Sequence, residues 1–349
     1  MDAGNQHSGG TYRKVLVTGG GGFLGKAIVQ RLLQEGAAVR SFSRKAHTEL
    51  ETLGAEQVQG DIRDARAVSN ACKGVDVVFH VAAKIQLWGD YRDFYATNVM
   101  GTEHVIQACR EKDIQHLVYT SSPSVVYDGR KDAAGIDESA PYPRRYHTHY
   151  QKTKSMAEKR ILKASNPSLR TVALRPHLIL GPGDTQLIPR LIAWSKHLRI
   201  IGDGKNLIDW TFIDNAAYAH VLAAKKLTEN QGVAGKVFFI SQGQPLNLWR
   251  LVNHILEAAG KEPVDKTLPK DVAYFLGWLF EIFYTWFPTT SEPKMTRGLA
   301  TELARNSWFD ISAARNELGY APEVSAQEGL KKIKLWLKEQ SRSGFSPHE

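Results

Sequence analysis

Short apolar runs alternate with amphipathic segments through the first half of the chain. The run KVLV at 14–17 precedes a cluster of glycines, and an amphipathic stretch at 25–35 follows them. The alternation continues through the apolar runs VDVVFHVAA and HLVYTSS, with helical patterns at 65–72 and around 98–112. Strands that alternate with helices predict a parallel sheet covered on both faces.

The alternation weakens after TVALRPHLILGPGD, although the later run KVFFIS still has the pattern of a strand. We therefore predict an α/β fold: a Rossmann-type doubly wound parallel sheet with a smaller, mostly helical C-terminal substrate domain. The predicted division is a flexible leader at 1–11, a Rossmann domain at 12–180 and 208–242, a substrate-binding part at 181–207 and 243–338, and a flexible tail at 339–349.

Composition narrows the function only a little. A chain of 349 residues with 42% hydrophobic content can bury a sizeable core. Its net charge of +9 suggests anionic partners, but the basic residues are dispersed and no nucleic-acid-binding motif occurs. Cys72 and Cys109 have no metal-ligand spacing, so we expect ordinary thiols in a reducing compartment and no metal site. The first ten residues lack the apolar core of a secretory signal, and we expect a cytoplasmic location, with membrane association left open.

The glycine cluster has the spacing of a phosphate-binding loop. Gly19, Gly22 and Gly25 form GxxGxxG directly after a strand and at the start of a helix. Glycines permit the tight turn and let backbone N–H groups approach a pyrophosphate at the positive helix end. Phe23 and Leu24 complete this part of the predicted dinucleotide site. The alternative is a glycine-rich turn that binds no ligand.

The residues after the second strand indicate which dinucleotide binds. An acid there favours NAD and an arginine favours NADP, and the strand ends in VRSFSRK. Arg44 is therefore predicted to hold the 2′-phosphate of NADP(H), while NAD(H) stays open because Arg44 could be a solvated surface residue. Asp61 could accept a hydrogen bond from the adenine or cap the next helix, and Ile62 is placed in the same cofactor set.

A tyrosine and a lysine stand four residues apart in a helical segment. Tyr150 and Lys154 would share one face, and the ammonium is expected to lower the phenol pKa from its usual value of about 10. Tyr146 lacks such a lysine and is the weaker candidate. A hydroxyl for the substrate oxygen is offered just past a strand by Thr120, Ser121, Ser122 and Ser124.

Taken together, these motifs resemble the extended short-chain dehydrogenase/reductase family, and within it the 3β-hydroxysteroid dehydrogenase-like group. The resemblance covers nearly the whole ordered body. It rests on TGGGGFLG, GDIRD, VFHVAA, NVMGTEHVIQAC, VYTSSPSVVY, YQKTK, LRPHLILGPGD, IGDGKNLIDWTFIDNAAYAHVLAA and ISAARNELGYAPEVSAQEGLKKIKLWL.

The resemblance implies a role for each matching residue. Tyr150 would donate or accept the proton, Lys154 would activate it and clamp the ribose, and Ser122 would polarise the carbonyl. Asn98 would have a structural or proton-relay role. One extra residue between the serine pair and the tyrosine leaves Ser121 and Ser124 open, and Asn215 replaces the usual aspartate. The positions expected to line the cofactor are Ala82, Ala83, Lys84 and Pro176.

The segment at 272–287, VAYFLGWLFEIFYTWF, is rich in aromatic residues, with Glu281 as its one charge. It is too short for a clean transmembrane span, which needs about 20 apolar residues. Three interpretations stay open: a wall of a lipophilic substrate pocket, an interfacial element on a bilayer, or packing in the core or in a homodimer.

The expected activity is NADP-dependent interconversion of a 3-oxo and a 3-hydroxy group on a bulky lipophilic small molecule. Within the family, the motifs are most similar to bacterial 2-alkyl-3-oxoalkanoate reductases, and 3β-hydroxysteroid and 4α-carboxysterol 3-dehydrogenases are similar over the same length. Two more distant hypotheses stay open: a sugar-nucleotide epimerase or dehydratase, and a non-enzymatic NADP-binding sensor or scaffold.

Overall fold

Fifteen strands and twelve α-helices lie in the part of the chain that the computed structural model describes, residues 12–342 without 87, 128, 130, 230, 231 and 288–291. The predicted leader and residues 343–349 of the predicted tail lie outside the described residues. The strands are β1 Lys14–Thr18, β2 Ala38–Ser43, β3 Glu56–Gln59, β4 Val77–His80, β5 His116–Thr120, β6 Ala133–Ile136, β7 Arg170–Pro176, β8 Ile179–Leu180, β9 Ile200–Ile201, β10 Leu207–Ile208, β11 Thr211–Phe212, β12 Val237–Ile240, β13 Leu246–Asn247, β14 Thr267–Leu268 and β15 Ser307–Phe309.

The α-helices connect these strands and form most of the C-terminal part. They are α1 Phe23–Gln34, α2 Thr48–Thr52, α3 Ala65–Ala71, α4 Tyr91–Phe94, α5 Gly101–Glu111, α6 His149–Ala164, α7 Leu187–Trp194, α8 Ile213–Thr228, α9 Leu248–Ala258, α10 Lys270–Trp286, α11 Arg297–Ala304 and α12 Ala326–Arg342. The segment predicted as one helix around 98–112 is α5 preceded by a π-helix, Tyr95–Met100. Helix α12 extends into the predicted tail, so residues 339–342 are helical.

Seven parallel strands form the main sheet in the order β12-β7-β5-β4-β1-β2-β3. Strand β1 pairs with β2 on one side and with β4 on the other, so the strand order reverses beside β1. In such sheets ligands bind outside the carboxyl ends of the strands at this reversal. The doubly wound fold predicted from the sequence is confirmed.

The core occupies both faces of this sheet because its side chains alternate. Val15 and Val17 pack with Ile28 of α1 in one apolar cluster. Leu16 points the other way and belongs to a second cluster with Val105 of α5. Helices α1 and α8 contact each other on the first face, while α3, α5 and α6 form neighbouring pairs on the second. A strand buried on both sides is apolar along its buried length, as residues 15–17 of β1 are.

The C-terminal part is interleaved with the main sheet. KVFFIS supplies β12, which pairs with β7 as the sequence predicts. A smaller four-stranded sheet has the order β13-β10-β15-β6. Strand β6 lies within the predicted Rossmann segment at 12–180, yet it pairs with β15 of the C-terminal part. The two parts are therefore joined by shared strands as well as by packing.

Candidate active site

The glycine loop after β1 is shaped by two close approaches of the backbone. Gly19 has a φ of 71°, and a Cβ added there would lie 2.9 Å from the backbone N and Cα of Ala82. A Cβ on Gly25 would lie 2.1 Å from the carbonyl oxygen of Gly19. These two positions admit only glycine because the first turn of α1 and the loop after β4 both pack against this loop.

The N-terminus of α1 has the properties of an anion site. Gly22 is its N-cap residue, no described side chain caps it, and its first turn contains no acid. N–H groups of the first turn therefore remain available to a pyrophosphate, which the helix dipole favours. Phe23 is half-buried, whereas the Leu24 side chain is buried in the core and leaves only its backbone for a ligand.

Positive charge collects at the carboxyl ends of β2 and β3. Arg44 is exposed directly after β2, and its charge helps lower the pKa of Asp61. The largest cause of that lowering is Arg63, whose Nη2 lies 2.7 Å from the Asp61 carboxylate. The alternative that Asp61 caps the next helix is wrong: Asp64 caps α3 by accepting from the N–H groups of its first turn. Ile62 is buried, so only its backbone is left for a cofactor.

A chain of buried hydrogen bonds fixes the strand ends behind the loop. Thr18 Oγ1 accepts from the Ala82 N–H at 3.2 Å and lies 2.8 Å from His80 Nδ1, to which it donates. His80 Nε2 donates in turn to Thr102 Oγ1, 2.9 Å away, because the Thr102 hydroxyl donates to the carbonyl of Asn98. Burial lowers the pKa of His80 to about 3, so it is a neutral link.

Asn98 links the loop after β4 to helix α6 through hydrogen bonds. Its Oδ1 accepts from the Lys84 N–H at 2.7 Å, and its Nδ2 donates to the Lys84 carbonyl and to Thr153 Oγ1, each at 3.0 Å. This side chain lies in the π-helix, a conformation that occurs often at functional sites. The contacts favour the structural role among the two that the resemblance implies. Ala82, Ala83 and Lys84 are held at the edge of the crevice.

Helix α6 carries Tyr150 and Lys154 one turn apart, as their spacing predicts. A capping box begins the helix: Thr148 accepts from the Gln151 N–H, and the Gln151 side chain accepts from the Thr148 N–H. The Ser122 hydroxyl lies close enough to the Tyr150 hydroxyl to oppose the rise in the pKa of that phenol. Of the three serines left open by the sequence, the structure therefore brings Ser122 to the tyrosine.

The other two serines have different surroundings. Ser124 Oγ lies 2.9 Å from Ser122 Oγ, so it can orient the Ser122 hydroxyl. Ser121 Oγ is buried and has no hydrogen-bond partner among the described residues. Tyr146, the weaker candidate, donates its hydroxyl proton to Ser155 Oγ at 2.6 Å, so that proton is not available to a substrate.

Lys154 is almost completely buried beneath the tyrosine. Its Nζ donates to the Thr120 carbonyl at 2.5 Å and lies 4.2 Å from the ring centroid of Tyr119. Burial lowers the pKa of Lys154 to about 7, and the negative charge of Glu158 opposes that fall. Two ammonium protons remain for a ribose or a water molecule.

The expectation that Lys154 lowers the pKa of Tyr150 is wrong for the chain itself. Burial raises the pKa of Tyr150, the hydrogen bond from Ser122 opposes the rise, and the charge of Glu302 adds to it. The ammonium of Lys154 is directed to the Thr120 carbonyl instead. Tyr150 is therefore a protonated phenol at neutral pH, which suits it to donate a proton.

Three further residues of this region were not identified from the sequence: Glu302, His177 and Asp209. Glu302 on α11 is accessible to water, yet surrounding protein raises its pKa to about 7, as expected for a group inside a cleft. The charge of His177 opposes that rise. His177 Nδ1 lies 2.5 Å from Asp209 Oδ1, so Asp209 orients the ring. The available signal was the position of His177, directly after Pro176 at the end of β7.

Pro176 itself is buried at the end of β7, where it lies opposite Ile240 of β12. This places it at the carboxyl edge of the main sheet, the edge where the glycine loop and Ser122 also lie. The residues expected to hold the cofactor thus meet at one edge. A bound nicotinamide would supply the hydride there, while Ser122 and Tyr150 orient the oxygen and move its proton.

The protein combines a Rossmann sheet, a glycine loop before an uncapped helix, and a Ser–Tyr–Lys set at the carboxyl ends of the strands. This combination defines an NAD(P)-dependent short-chain dehydrogenase/reductase. The chain belongs to the 3-beta hydroxysteroid dehydrogenase/isomerase family, whose model matches residues 16–270. It is therefore an oxidoreductase that acts on hydroxyl and oxo groups.

Known proteins similar to this chain include two enzymes and one solved complex. The 2-alkyl-3-oxoalkanoate reductase of Stenotrophomonas maltophilia (strain K279a) is 45% identical over 324 residues, covering 92% of this chain and 98% of that protein. The decarboxylating sterol-4-alpha-carboxylate 3-dehydrogenase of Mus musculus is 32% identical over 327 residues, covering 92% and 90%. The structure of MoeE5 with UDP-glucose and NAD has a TM-score of 0.73 and 25% identity, covering 94% and 99%.

Proposed function

We propose that the protein is an NADPH-dependent 2-alkyl-3-oxoalkanoate reductase. The observation that carries the substrate assignment is the 45% identity over 98% of the Stenotrophomonas reductase. In the proposed reaction hydride reaches the carbon of the 3-oxo group, and Tyr150 gives its phenolic proton to the oxygen. Ser122 donates a hydrogen bond to that oxygen, and the two remaining protons of the Lys154 ammonium hold the nicotinamide ribose.

The protonation states of the site support the direction of reduction. A phenol with a raised pKa begins the cycle as an acid, which reduction of a ketone requires and oxidation of an alcohol does not. Lys154, with a pKa near 7, keeps part of its population as an ammonium that can bind the ribose at neutral pH.

The end of β2 supports NADPH over NADH. Arg44 follows the strand, so its guanidinium is available near the expected 2′-phosphate. The nearby carboxylate of Asp61 already accepts a bidentate bond from Arg63, which occupies that second guanidinium and the acid together.

A sterol-4α-carboxylate 3-dehydrogenase is the second candidate, supported by 32% identity to the mouse enzyme over 90% of its length. Both enzyme names describe an oxygenated carbon next to a branched carbon that bears a carboxyl group. The cleft therefore needs a group for that carboxyl under either assignment. The protonated form of Glu302, which lies near Tyr150, and His177, which lies near Glu302, are candidate donors for it.

A substrate panel monitored by NADPH absorbance tests the proposal. A 2-alkyl-3-oxo fatty acid should have a higher kcat/KM than a 3-ketosteroid or a UDP-sugar. Tyr150→Phe should lose about 10²- to 10⁴-fold in turnover while it still binds NADPH. Tyr146→Phe is the matched control and should stay near wild type. Turnover by Tyr150→Phe at the wild-type rate contradicts the assigned role.

The cofactor assignment has its own variant. Arg44→Asp should lower the ratio of kcat/KM for NADPH to kcat/KM for NADH by about tenfold or more. The substitution replaces a guanidinium that donates hydrogen bonds to the 2′-phosphate by a carboxylate that repels it. Lys45→Asp carries the same charge change one residue further along the chain. An unchanged ratio in Arg44→Asp would remove that residue from the cofactor site.

A further inference from the structure

Helix α10 is attached to the protein along one narrow stripe. Ala273 and Gly277 are its buried residues, and a Cβ on Gly277 would lie 2.6 Å from the carbonyl carbon of Thr296. One turn further, the Glu281 carboxylate accepts from the Arg297 N–H at 2.8 Å and from its Nε at 2.6 Å. Small residues and one ion pair thus hold α10 against the start of α11.

The remainder of α10 is apolar and exposed, so the core-packing alternative for this segment is wrong. At 100° per residue, the exposed side chains cover about two thirds of the helix circumference. Exposed fractions reach 54% at Phe275 and 76% at Trp286. The exposed apolar residues of α10 and its end are Val272, Tyr274, Phe275, Leu276, Trp278, Leu279, Phe280, Ile282, Phe283, Trp286 and Phe287.

The breadth of this surface indicates what covers it. A partner protein packs against one side of a helix. An apolar surface that covers about two thirds of the circumference of α10 is better matched by a lipid layer, which surrounds an inserted helix on every side that the protein leaves free. No helix among the described residues is long and apolar enough to cross a membrane. With 17 residues, α10 is about 25 Å long, and its mixture of Trp, Tyr and Phe is typical of the boundary between headgroups and acyl chains.

Basic residues flank both ends of α10. Lys266 and Lys270 precede or begin the helix at its N-terminal end. At the other end, Tyr284 borders a surface depression lined by Lys294 and by Arg190, which pairs with Glu292. Asp265 and Asp271 lie beside the two N-terminal lysines, so the charge that favours an anionic surface over a second copy of the chain is the net +9 of the whole protein.

We propose that α10 inserts into the interface of an anionic lipid bilayer, parallel to its plane. Lys266, Lys270 and Lys294 contact the headgroups, and the aromatic side chains lie among the upper acyl carbons. Arg297, which fastens α10, lies five residues before Glu302 on the same short helix. Docking therefore brings the cleft close to the lipid surface. That last consequence, delivery of a lipophilic substrate from the bilayer, rests on the proposed function.

Vesicle flotation of the full chain tests the docking. The protein should float with vesicles of phosphatidylcholine that contain about one quarter phosphatidylglycerol, and more weakly with phosphatidylcholine alone. The double variant Phe275→Asp/Phe283→Asp should reduce the partition coefficient by about tenfold or more, since it replaces two inserted rings by charges. Leu335→Asp is the matched control, because Leu335 is 52% exposed on α12, away from α10.

Each outcome decides the proposal. Wild type that stays with the soluble fraction in both lipid mixtures overturns it, as does a double variant that floats like wild type. Sedimentation velocity without lipid separates the competing occupant: a wild-type dimer that the double variant converts to monomer, with no flotation, assigns the surface to a second copy. Thermal unfolding confirms that the variants are folded. Flotation with no reduction of a 3-oxo acid would contradict the proposed function and leave the docking supported.

Discussion

The charge on Lys154 is set by two opposing effects. Burial removes the ammonium from water and lowers its pKa to about 7, while Glu158, one turn further along α6, holds the pKa up. Glu158 is itself buried, with Arg175 Nη2 at 2.7 Å and the Tyr142 hydroxyl at 2.6 Å. The sequence motif identifies Tyr150 and Lys154, but it does not identify the buried ion pair of Glu158 and Arg175 beside them.

Glu158→Gln should shift the pH profile of the enzyme. Loss of the negative charge lowers the pKa of Lys154 further below its ordinary value, so the ammonium is lost at a lower pH. Reduction needs that ammonium, and the alkaline fall in kcat/KM should therefore begin at a lower pH than in wild type. Initial rates across a pH series check this, with NADPH kept saturating.

Tyr142→Phe is the matched control for that profile. It removes one hydrogen bond to Glu158 but leaves the charges of Glu158 and Arg175 in place, so the alkaline limb should stay where it is in wild type. Glu158→Gln also breaks a buried ion pair and should destabilise the fold by about 3–5 kcal/mol, so the rates are compared well below its melting temperature. Coincident alkaline limbs for Glu158→Gln and wild type would show that Glu158 does not tune Lys154.

Residue positions were predictable where they depend on spacing alone. Four residues on a helix place Tyr150 above Lys154, and the end of a strand places Ser122 beside them. The direction of the Tyr150 pKa shift was not predictable in this way, because it depends on burial and on Glu302, which is 152 residues away in sequence. Long-range contacts of this kind have no local pattern.

The β1–α1 loop is the element whose geometry depends most on single glycines. Gly19→Ala should lower the free energy of unfolding by about 2–4 kcal/mol, because the methyl group meets both positive φ and the Ala82 backbone. The loop should also shift away from its anion-binding geometry, so NADPH affinity falls. Urea unfolding and NADPH titration measure the two effects.

Gly36→Ala separates strain from crowding. Gly36 also has positive φ, at 83°, but a Cβ there meets no atom within 4 Å. Its substitution should therefore lower the stability by only about 1 kcal/mol and leave NADPH binding intact. Equal losses in the two variants would show that the approach to Ala82 contributes nothing.

Elements were predictable where hydrophobic period and turn chemistry agree. The sheet strands, the glycine loop and α6 followed from the pattern. The aromatic segment at 272–287 was correctly seen as apolar, but apolar side chains predict burial only when a partner surface exists, and the chain supplies α10 with a narrow one. The π-helix was missed because it spans only six residues, too few for its wider turn to alter the apolar period of the segment.

A buried amide on α8 holds the C-terminal segment of the molecule, at a position where the family resemblance led us to expect aspartate. Asn215 on α8 donates through Nδ2 to the carbonyl of Val324 at 2.7 Å and to Gln242 Oε1 at 2.7 Å. Its Oδ1 accepts from the Val324 N–H at 2.9 Å. An amide can donate and accept at once, so the substitution changes how the C-terminal segment is held and has no contact with the reacting groups among the described residues.

Asn215→Asp should therefore destabilise the molecule in a pH-dependent way. The introduced carboxylate cannot donate to Val324 or Gln242 and is buried, so we expect a loss of about 2–4 kcal/mol at neutral pH. Burial raises its pKa in the folded state above the unfolded value of about 3.9, so the folded state binds the proton more tightly. The penalty is then small below the unfolded pKa and grows as pH rises toward the folded pKa.

Asn253→Asp provides the control, because the same amide geometry recurs in a half-buried place. Asn253 accepts from the Val264 N–H at 2.8 Å and donates to its carbonyl at 3.2 Å. Water can reach this side chain, so its substitution should reduce stability by only about 1 kcal/mol with little dependence on pH. Urea unfolding at acidic and neutral pH measures both variants. An Asn215→Asp penalty that is the same at both pH values would show that the carboxylate is solvated and that Asn215 does not seal the C-terminal segment.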